Sequence, residues 1–463
     1  MKSKKMKVLH RVAGRSMVEH VLVAVQAMEP RRIVTVVGHQ RDEVGPHIQE
    51  LVPDALLAVQ EEQHGTGHAV RVAMEAVAQA GEQPTGTVLV AYADTPLLEA
   101  ESLRAFAAEH EAAQRAVSIL SGVLRDPKGY GRVVRNGDGD VESIVEEKDA
   151  TEEQRAIQEI NSGILAFDAA FLIDALPRLT NDNAKGEYYL TDTVQLAHEA
   201  GLHVGAHAIE DVAQTVGVND RVQLAEMGRA MNERIVTRWM REGVSVMDPA
   251  TTWIDSDVVL AADATLLPGV QLLGATVIGE DAVIGPDTTL KDCEVGAGAR
   301  VVRSHGELAV IGERASVGPF AYLRPGTLLG ADAKVGTFVE TKNAQLGDGA
   351  KVPHLSYVGD ATIGEGTNIG AGTIFANYDG VAKHHTVVGK HARTGANNTF
   401  VAPLEIGDGA GTAGGTVVRH DVPPGGLAVS SGPQRNLERW ALTRRAGTPQ
   451  ADAAAQALEG VED

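Results

Sequence analysis

The chain has 463 residues, with 62 acidic against 41 basic side chains and a formal net charge of −21. This excess of negative charge argues against nucleic acid or an anionic membrane as a primary partner. At about 150 residues per domain, the length allows two to four domains. Glycine is abundant, at 51 residues, and aromatic residues are scarce, at 4 %. This composition favours an architecture rich in tight turns.

The cysteine content and the apolar pattern bear on the cellular compartment. Cys293 is the single cysteine, so no disulfide can form within the chain, which fits the reducing cytoplasm. The basic residues at the start are followed by no continuous apolar run, so we expect no signal peptide. No stretch of 18 apolar residues occurs, so we expect no membrane span.

Residues 1–218 alternate between helical and strand patterns. Residues 16–28 form an amphipathic pattern, and Ser16 with Glu19 has the spacing of a capping box at its start. Residues 88–92 are an apolar strand pattern that ends just before Asp94. The alternation predicts an α/β Rossmann-like domain, with a mostly parallel sheet covered by helices on its faces. Ligands bind such sheets at the carboxyl ends of the strands, which is where Asp94 lies.

The second half of the chain has a different periodicity, in which branched aliphatic residues recur every six positions in runs that are interrupted by shifts of phase. The series is Ile254, Leu260, Leu266, Leu272, Ile278, Ile284, Leu290, Val295, Val301, Ile311, Val317, Leu323, Leu329, Val335, Leu346, Val352, Val358, Ile363 and Ile369. Neither a helix nor an ordinary strand has this period. A hexapeptide repeat predicts a left-handed parallel β-helix, in which three hexads form one triangular coil and the coils stack.

These patterns predict four segments. Residues 1–218 form the α/β domain, and residues 219–245 form a linker helix that is rich in Glu, Arg, Met and Leu. Residues 246–440 form the β-helix, with residues 377–385 as a loop that projects from one coil. Residues 441–463, rich in Ala, Gln and Glu, are expected to be a frayed tail.

Short motifs then connect the chain to a known family. The first half contains KVLH at 7–10, QEEQHGTGH at 60–68, YAD at 92–94, GYGR at 129–132, IVEEK at 144–148, EINSG at 159–163 and GEYYLTD at 186–192. The second half contains LRPG at 323–326, FVETKN at 338–343, HLSY at 354–357, NIGAG at 368–372 and NYDG at 377–380. In order and number they resemble the bacterial bifunctional enzymes that act as N-acetylglucosamine-1-phosphate uridyltransferase and glucosamine-1-phosphate N-acetyltransferase. The resemblance covers residues 5–434 and identifies the α/β domain as a nucleotidyltransferase.

The resemblance implies an acetyltransferase site in the β-helix, with glucosamine 1-phosphate and acetyl-CoA as substrates. The sugar amine must lose a proton before it attacks the thioester, and neutral histidine is a suitable base near neutral pH. His354 is the implied base, Glu340 orients it or holds the amine, and Arg324 and Lys342 hold the sugar phosphate. The further implied sugar contacts are Tyr357, Asn368, Asn377 and Tyr378. The implied acetyl-CoA contacts are Ala371, Lys383, Ala396, Gly414 and Arg435.

The resemblance also implies a uridyltransferase site in the α/β domain, with UTP and N-acetylglucosamine 1-phosphate as substrates. Charge develops on the phosphates during the reaction, so the site needs Mg²⁺ and a cationic side chain. Asp94 and Asn219 are the implied metal ligands, and Lys7 neutralises the phosphates. The implied uracil contacts are Gln60, Gly65 and Thr66. The implied sugar contacts are Gly131, Glu146, Asn161 and Thr191, with Tyr92 and Ala93 beside the metal carboxylate.

The chain departs from the family pattern at several positions. Ala396 replaces a serine, Gly414 replaces an alanine, and Ser431 stands near the place of an arginine that contacts coenzyme A. These changes concern the details of coenzyme A binding. The family also begins with an apolar strand and a Gly-rich phosphate loop, and Met1 aligns with the last residue of that loop. Two explanations stay open: a start upstream of the given one, or a chain with weak or no uridyl transfer.

Three functional hypotheses follow. The favoured one is the bifunctional enzyme, which makes UDP-N-acetylglucosamine and pyrophosphate for cell-wall precursors and assembles as a homotrimer by analogy with the family. The alternative is an acetyltransferase alone, with the first domain as a binding or scaffold module. The third is a different class of β-helix protein, such as a zinc-dependent hydratase or a purely structural trimer. It is disfavoured, because the hydratase needs three histidines around a metal and the repeats do not present histidines at matching positions.

Overall fold

The computed structural model describes residues 1–38, 41–183, 185–430, 432 and 434–459. The chain divides into two compact units, Met1–Val277 and Ile278–Asp463. The first unit extends past the predicted boundary at residue 246 because the first hexads pack against the long helix Arg221–Arg241. Asn232 on this helix donates to the carbonyl of Thr252 at 2.8 Å and accepts from the amide of Ile254 at 3.0 Å.

Eight α-helices are described in the first unit. They are Met17–Gln26, Arg41–Leu51, Thr66–Gln79, Ala100–Ala112, Glu152–Arg155, Ala169–Ala175, Thr193–Glu199 and Arg221–Arg241. The capping box predicted at Ser16 and Glu19 is present, with the Ser16 side chain accepting from the Glu19 amide and the Glu19 carboxylate accepting from the Ser16 amide. None of the helices in the described part of the chain is long and apolar enough to cross a membrane.

The described strands of the α/β part fall into three sheets: the first two strands pair with each other, the next two pair with each other, and the remaining six form one mixed sheet. In chain order, the strands are Arg11–Val12, Arg15–Ser16, Val34–Val37, Leu56–Val59, Thr87–Val90, Val117–Val123, Gly131–Arg135, Val141–Val145, Glu159–Asp168 and Val204–Ala208. The prediction of a mostly parallel sheet was wrong, because Glu159–Asp168 runs antiparallel to three of its neighbours. This strand follows the short helix Glu152–Arg155 and pairs with Gly131–Arg135, the first strand of an antiparallel hairpin with Val141–Val145.

Helices cover both faces of this sheet, as the sequence predicted. Along Glu159–Asp168, Leu165 and Phe167 belong to a buried cluster on one face. Ile164 and Ala166 belong to a cluster on the other face. Because side chains alternate along a strand, this pattern identifies a strand buried on both faces.

The hexapeptide repeats form short parallel strands. In the first unit these are Ser245–Val246, Trp253–Ile254, Val259–Leu260, Thr265–Leu266 and Gln271–Leu273, and the strand at the division is Val277–Ile278. In the second unit they are Val283–Ile284, Thr289–Lys291, Glu294–Val295, Arg300–Val301, His305–Glu307, Val310–Ile311, Ser316–Val317, Tyr322–Leu323, Leu328–Leu329, Lys334–Thr337, Glu340–Leu346, Lys351–His354, Tyr357–Ile363, Ile374–Ala376, Thr386–Val388, Thr399–Val401, Leu404–Ile406, Gly411–Thr412, Val417–Val418 and Leu427–Ala428.

The core of the β-helix consists of the aliphatic residues that define the repeat. Every member of the series from Ile254 to Ile369 is buried, with at most 5 % of its surface exposed. In the second unit, strands pair in parallel with their equivalents one coil away, as Thr289–Lys291 does with His305–Glu307. The left-handed parallel β-helix predicted from the six-residue period is confirmed.

The end of the chain differs from the expected frayed tail. The described part contains two helices, Trp440–Arg444 and Pro449–Glu459, which pack against each other. Ala451 is buried. Ala, Gln, Leu and Glu have high helix propensities, so the composition that was interpreted as a tail also favours a helix.

Candidate active sites

Three residues that are far apart in the sequence meet near the end of strand Thr87–Val90. The ammonium of Lys7 lies 2.6 Å from Oδ2 of Asp94 and 3.1 Å from Oδ1 of Asn219. The carbonyl of Asp94 accepts from the amide of Val218, which holds the Asn219 segment in place. The structure therefore brings together Lys7, Asp94 and Asn219, as predicted.

The oxygen atoms of Asp94 and Asn219 suit a divalent cation. The Lys7 ammonium already lies between them, so a positive charge fits at this position. Hard cations such as Mg²⁺ bind few protein oxygens and complete their shell with phosphate and water oxygens. Among the described residues, no group of three or more His, Cys, Asp or Glu side chains forms a complete protein cage for a metal. The pair thus suits an ion shared with a substrate phosphate.

A cavity of about 140 Å³ lies beside this group. Of the predicted sugar contacts, it is lined by Glu146, Asn161 and Thr191. It also includes Tyr92, which was expected beside the metal carboxylate, and Thr66, which was expected at the uracil. Gly131 lies at its edge, where an added Cβ would be 3.5 Å from Oε1 of Glu146. The other lining residues are Gly163, Leu165, Lys185, Glu187, Tyr189 and Leu190.

Burial perturbs the titratable groups of this cavity. Burial raises the pKa of Glu146, the charge of Lys185 opposes the shift, and the carboxylates of Asp149 and Glu187 add to it. Burial, together with the charges of Glu146 and Asp94, raises the pKa of Tyr92 to about 12. Groups with perturbed pKa values cluster at functional sites. The cavity is therefore a candidate substrate site.

The predicted uracil contacts form a second small group. The side-chain Nε2 of Gln60 lies 3.2 Å from the carbonyl of Gly65 and 3.0 Å from Nδ1 of His68. Gly65 has a φ of +100°, and an added Cβ would lie 2.7 Å from the Tyr188 carbonyl. Only glycine fits this close approach. Thr66 accepts from the Leu190 amide through its hydroxyl, which joins this group to the cavity.

In the second unit, neighbouring coils bring together the residues predicted to hold the sugar phosphate. Arg324 donates from Nη1 to Oε1 of Glu340 at 2.8 Å. Glu340 is the ladder partner of both Tyr322 and Tyr357. In the described part of the chain, no hydrogen bond joins Glu340 to the His354 side chain. Glu340 thus contacts the expected phosphate ligand rather than the expected base.

A second pair of cations lies next to this group. Lys342 and Lys383 are adjacent, and the nearby Lys383 lowers the pKa of Lys342, with Arg324 adding to the effect. Lys383 was expected near acetyl-CoA, but it lies with the expected phosphate ligands. Three cations close together form a suitable site for a sugar phosphate.

The loop predicted at residues 377–385 is an ordered hairpin between strands Ile374–Ala376 and Thr386–Val388. Tyr378 bridges to Lys383 across the hairpin. The carboxylate of Asp379 accepts from the backbone amides of Val381 and Ala382 and from Nε2 of His384, and these hydrogen bonds lower its pKa. The hairpin therefore holds Lys383 in a defined position.

His354 ends the strand Lys351–His354, and its side chain is exposed. Its carbonyl accepts from the hydroxyl of Ser356 at 2.7 Å and from the amide of Gly372 at 3.1 Å. These bonds fix the backbone at the point from which the imidazole projects. The contact with Gly372 also brings His354 next to Ala371, one of the predicted coenzyme A contacts.

Three of the predicted coenzyme A contacts, Ala371, Ala396 and Gly414, form a column on successive coils. The carbonyl of Ala371 accepts from the Asn397 amide, and the carbonyl of Ala396 accepts from the Gly415 amide, next to Gly414. Asn368 forms a bridge to Lys351 and to Arg393. Arg435 is exposed on the segment after the last strand, and among the described residues it has no hydrogen bond to this column. Ser431 lies outside the described residues.

Sequence reasoning missed several residues at both sites. Lys185, Glu187 and Tyr189 line the cavity of the first unit. They lie within or next to the GEYYLTD motif, and this proximity was the available indication. Asp360, which accepts from both Asn343 and Asn377, lies within the second cluster. No sequence motif pointed to it.

The first unit thus combines a lysine that contacts an aspartate and an asparagine with a cavity of about 140 Å³ on an α/β domain, and the second unit has a cluster of three cations on a β-helix. These features define a nucleotidyltransferase joined to a hexapeptide-repeat acyltransferase. Residues 2–255 match the family model described as nucleotidyl transferase. Over 455 residues the chain is 56 % identical to the bifunctional protein GlmU of Streptomyces avermitilis, covering 98 % of this chain and 94 % of that protein.

Two further relatives extend this comparison. The bifunctional protein GlmU of Nocardia farcinica is 56 % identical over 468 residues, covering 100 % of this chain and 94 % of that protein. The protein of the same name from Corynebacterium jeikeium is 54 % identical over 467 residues, covering 100 % and 95 %. The chain belongs to the family of bifunctional GlmU proteins. This confirms the resemblance and, with it, the prediction of a bifunctional acetyltransferase and uridyltransferase.

Proposed function

We propose that the cluster in the second unit binds glucosamine 1-phosphate and transfers to its amine the acetyl group of acetyl-CoA. The observation that carries this assignment is the convergence of Arg324, Lys342 and Lys383, since Arg324 binds Glu340, the ladder partner of Tyr357, and Tyr357 follows His354 by three residues. Arg324 binds the phosphate as a planar fork and the two lysines bind it as point charges. Tyr357, Asn368, Asn377 and Tyr378 are the remaining proposed sugar contacts.

The reaction at this site needs one base. His354 accepts a proton from the sugar amine, and the amine nitrogen attacks the thioester carbonyl. The carbon–sulfur bond then breaks and coenzyme A leaves as the thiol, taking up one proton. Glu340 acts indirectly, by orienting Arg324. Ala371, Ala396 and Gly414 present a column of small residues and backbone groups along which the coenzyme A arm extends, and Arg435 is proposed to meet its phosphates.

We propose that the first unit then transfers the uridyl group of UTP to N-acetylglucosamine 1-phosphate, releasing pyrophosphate. Asp94 and Asn219 would hold Mg²⁺, which would shield the phosphate charges. Lys7 stabilises the charge that develops on the α-phosphate as the sugar phosphate oxygen attacks. Tyr92 and Ala93 position the Asp94 carboxylate. This assignment is supported by the contacts of Lys7 with both metal ligands.

The remaining residues of the first unit select the substrates. Gln60, Gly65 and Thr66 are proposed to bind the uracil through amide, backbone and hydroxyl groups. Glu146 and Asn161 are proposed to bind the sugar hydroxyls and the N-acetyl group, together with Gly131 and Thr191. A hydrogen-bonding site of this type rejects analogues that lack the matching group, because its buried polar atoms would be left without partners.

Two assays on the same purified chain test both assignments. One measures thiol release from acetyl-CoA with glucosamine 1-phosphate, and the other measures pyrophosphate release from UTP with N-acetylglucosamine 1-phosphate. Asn377→Ala is expected to lower thiol release alone, and Asp94→Ala pyrophosphate release alone. If either variant lowers both activities equally in a folded protein, or neither, the assignment of that site is wrong.

We further propose that the chain is a cytoplasmic homotrimer and that it does not bind nucleic acid. Exposed apolar residues on one corner of the β-helix support self-association: Phe320, Phe338 and Leu355 are 53 %, 59 % and 61 % exposed. Contiguous apolar surface of this kind is typical of an interface. The net charge of −21 opposes association with nucleic acid. The substrates UTP and acetyl-CoA are cytoplasmic metabolites, which supports that location.

A further inference from the structure

Asp360 lies at the centre of the cluster in the second unit, although no motif pointed to it. It occupies a left-handed corner, with a φ of 47°, and Asn343 occupies a similar corner with a φ of 44°. Lys342, which precedes Asn343, pairs with Gly359, which precedes Asp360, across the β-ladder. The regular stacking of the coils thus places the carboxylate of Asp360 next to a proposed phosphate ligand.

Both oxygens of Asp360 accept hydrogen bonds from side-chain amides. Oδ1 accepts from Nδ2 of Asn343 at 2.8 Å, and Oδ2 accepts from Nδ2 of Asn377 at 2.5 Å. Asn377 also lies 3.5 Å from the hydroxyl of Tyr357 and is 8 % exposed. Gly359 leaves room for this contact, since an added Cβ would lie 2.3 Å from the Tyr357 hydroxyl and 2.7 Å from the Asn377 amide.

The charged groups around Asp360 are cations. Partial burial alone would raise the pKa of Asp360, but the hydrogen bonds from Asn343 and Asn377, with the charges of Lys342 and Lys383, lower it. Lys342 in turn faces Lys383, Arg324 and Asp360, and the two other cations lower its pKa while Asp360 raises it. Asp360 is therefore a carboxylate that balances the positive charges of Lys342 and Lys383.

We propose that Asp360 is a positioning residue for acetyl transfer, which fixes the Asn377 amide and holds Lys342 and Lys383 next to each other so that the site is assembled before the sugar phosphate binds. This inference rests on the proposed function of the site. Without a counter-charge, two neighbouring ammonium groups repel each other and separate or lose a proton. A phosphate that binds the preassembled pair does not need to bring the lysines together, and preorganisation of this kind increases affinity.

The substitution Asp360→Asn tests this role because it keeps the shape and removes the charge. The asparagine retains one acceptor oxygen but presents an NH₂ group to the other amide donor. We expect KM for glucosamine 1-phosphate to rise about tenfold or more, because charge-assisted hydrogen bonds are lost. We expect kcat to change less than about fivefold, because the base His354 is unchanged. The alkaline limb of kcat/KM is expected to move to lower pH, because Lys342 in the free enzyme loses its proton more easily without the charge of Asp360.

The matched control is Asp348→Asn. Asp348 lies on the same β-helix and accepts the backbone amide of Ala331 at 2.8 Å, a bond that asparagine can also accept. This variant is expected to keep the KM and the pH profile of the unchanged chain. A merely structural role of Asp360 would lower the active fraction and thus kcat, but it would move neither KM nor the alkaline limb.

The outcomes separate this inference from the proposed function. If folded D360N retains the original KM and alkaline limb while His354→Ala abolishes thiol release, the positioning role is overturned and the site assignment stands. If His354→Ala retains thiol release, the proposed function fails instead. Should D360N not fold, Asp360→Glu carries the test: its longer side chain keeps the charge but displaces the amides, so an unchanged KM would overturn the proposal.

Discussion

Arg324 and Glu340, on neighbouring coils of the β-helix, form an ion pair with 2.8 Å between Nη1 and Oε1. Both side chains are partly exposed, at 36 % and 41 %, so solvent screens the pair and its contribution to stability is small. Its importance is geometric, because a carboxylate fixes the plane of a guanidinium. Glu340 therefore aims Arg324 at the position where we propose the sugar phosphate binds.

The substitution Glu340→Gln is accordingly expected to act on substrate binding. KM for glucosamine 1-phosphate should rise about three- to tenfold, because the guanidinium loses its fixed orientation, while kcat changes less. Steady-state thiol release measures both constants. The control is Asp332→Asn, which weakens a comparable surface pair with Arg314 and should change neither constant. A fall in kcat with no change in KM would instead place Glu340 at the reacting amine.

Lys7 is expected to be essential for uridyl transfer. Lys7→Met should lower kcat of pyrophosphate release about a hundredfold or more, because the charge that develops on the phosphates loses its compensating ammonium. Lys5→Met is a suitable control, since Lys5 is an exposed lysine two positions away. Equal rates for the two variants would contradict the role of Lys7.

Gly163 is expected to be required by the ring of Tyr92. Its φ is +81°, and an added Cβ would lie 1.9 Å from the Tyr92 ring. Gly163→Ala should therefore lower the free energy of unfolding by about 2–4 kcal/mol, which combines backbone strain with overpacking. KM for N-acetylglucosamine 1-phosphate should also rise, because Tyr92 lines the cavity.

The control for this prediction separates strain from the steric clash. Gly139 has a φ of +89°, but an added Cβ would meet no atom within 4 Å. Gly139→Ala should lower stability by about 1–2 kcal/mol through strain alone and leave KM unchanged. Chemical denaturation followed by circular dichroism gives the stabilities. Equal losses in the two variants would contradict the clash with Tyr92.

The raised pKa of Glu146 predicts two effects of pH. Burial raises the pKa of Glu146, so its carboxylate takes up a proton at a higher pH than the carboxylate of an ordinary glutamate. KM for N-acetylglucosamine 1-phosphate should therefore rise as the pH falls through the mildly acidic range. Lys185, Asp149 and Glu187 are the charged groups that face Glu146. A folded-state pKa above the unfolded value also means that ionisation opposes folding, so stability falls as the pH rises from the unfolded pKa to the folded one.

Glu146→Gln removes both effects. KM of this variant should be nearly independent of pH over the same range, and its melting temperature near neutral pH should equal or exceed that of the unchanged chain. The measurements are a pH series of pyrophosphate release and thermal unfolding at two pH values. A pH dependence of KM that persists in the variant would assign the titration to another group.

The proposed homotrimer predicts that the exposed apolar corner is buried between copies. The rings of Phe320 and Phe338 stack with 5.5 Å between their centroids and lie beside Leu355. Phe320→Ser combined with Phe338→Ser should shift sedimentation from the trimer to the monomer. Val381→Ser, which changes a residue that is 91 % exposed on the hairpin, should leave the trimer intact. A monomer in the unchanged chain would contradict the proposal.

The β-helix could be predicted from the sequence almost residue by residue. A period of six leaves a single set of positions that can face the core, and each of those positions is buried. The directions of the strands in the α/β sheet could not be predicted in this way. The strand Glu159–Asp168 has an apolar pattern that suits either direction, and its antiparallel pairing involves strands that are distant in the sequence.

The two sites also differ in how far their residues could be predicted from the sequence. Lys7, Asp94 and Asn219 could be predicted because each belongs to a recognisable motif or boundary, and the structure brings them together. Asp360 could not be predicted, because its role depends on side chains from a preceding coil and from the projecting hairpin. Contacts of this kind become visible only when the coils are stacked.

The most direct test of the account is thiol release by the variant His354→Ala, compared with His420→Ala, which changes an exposed histidine elsewhere on the β-helix. We predict that His354→Ala lowers kcat of acetyl transfer by about 10²- to 10⁴-fold, the usual contribution of a general base, while pyrophosphate release is unchanged. His420→Ala should leave both activities intact. Acetyl transfer at the original rate in folded His354→Ala would contradict the central claim that this histidine is the base of the acetyltransferase site.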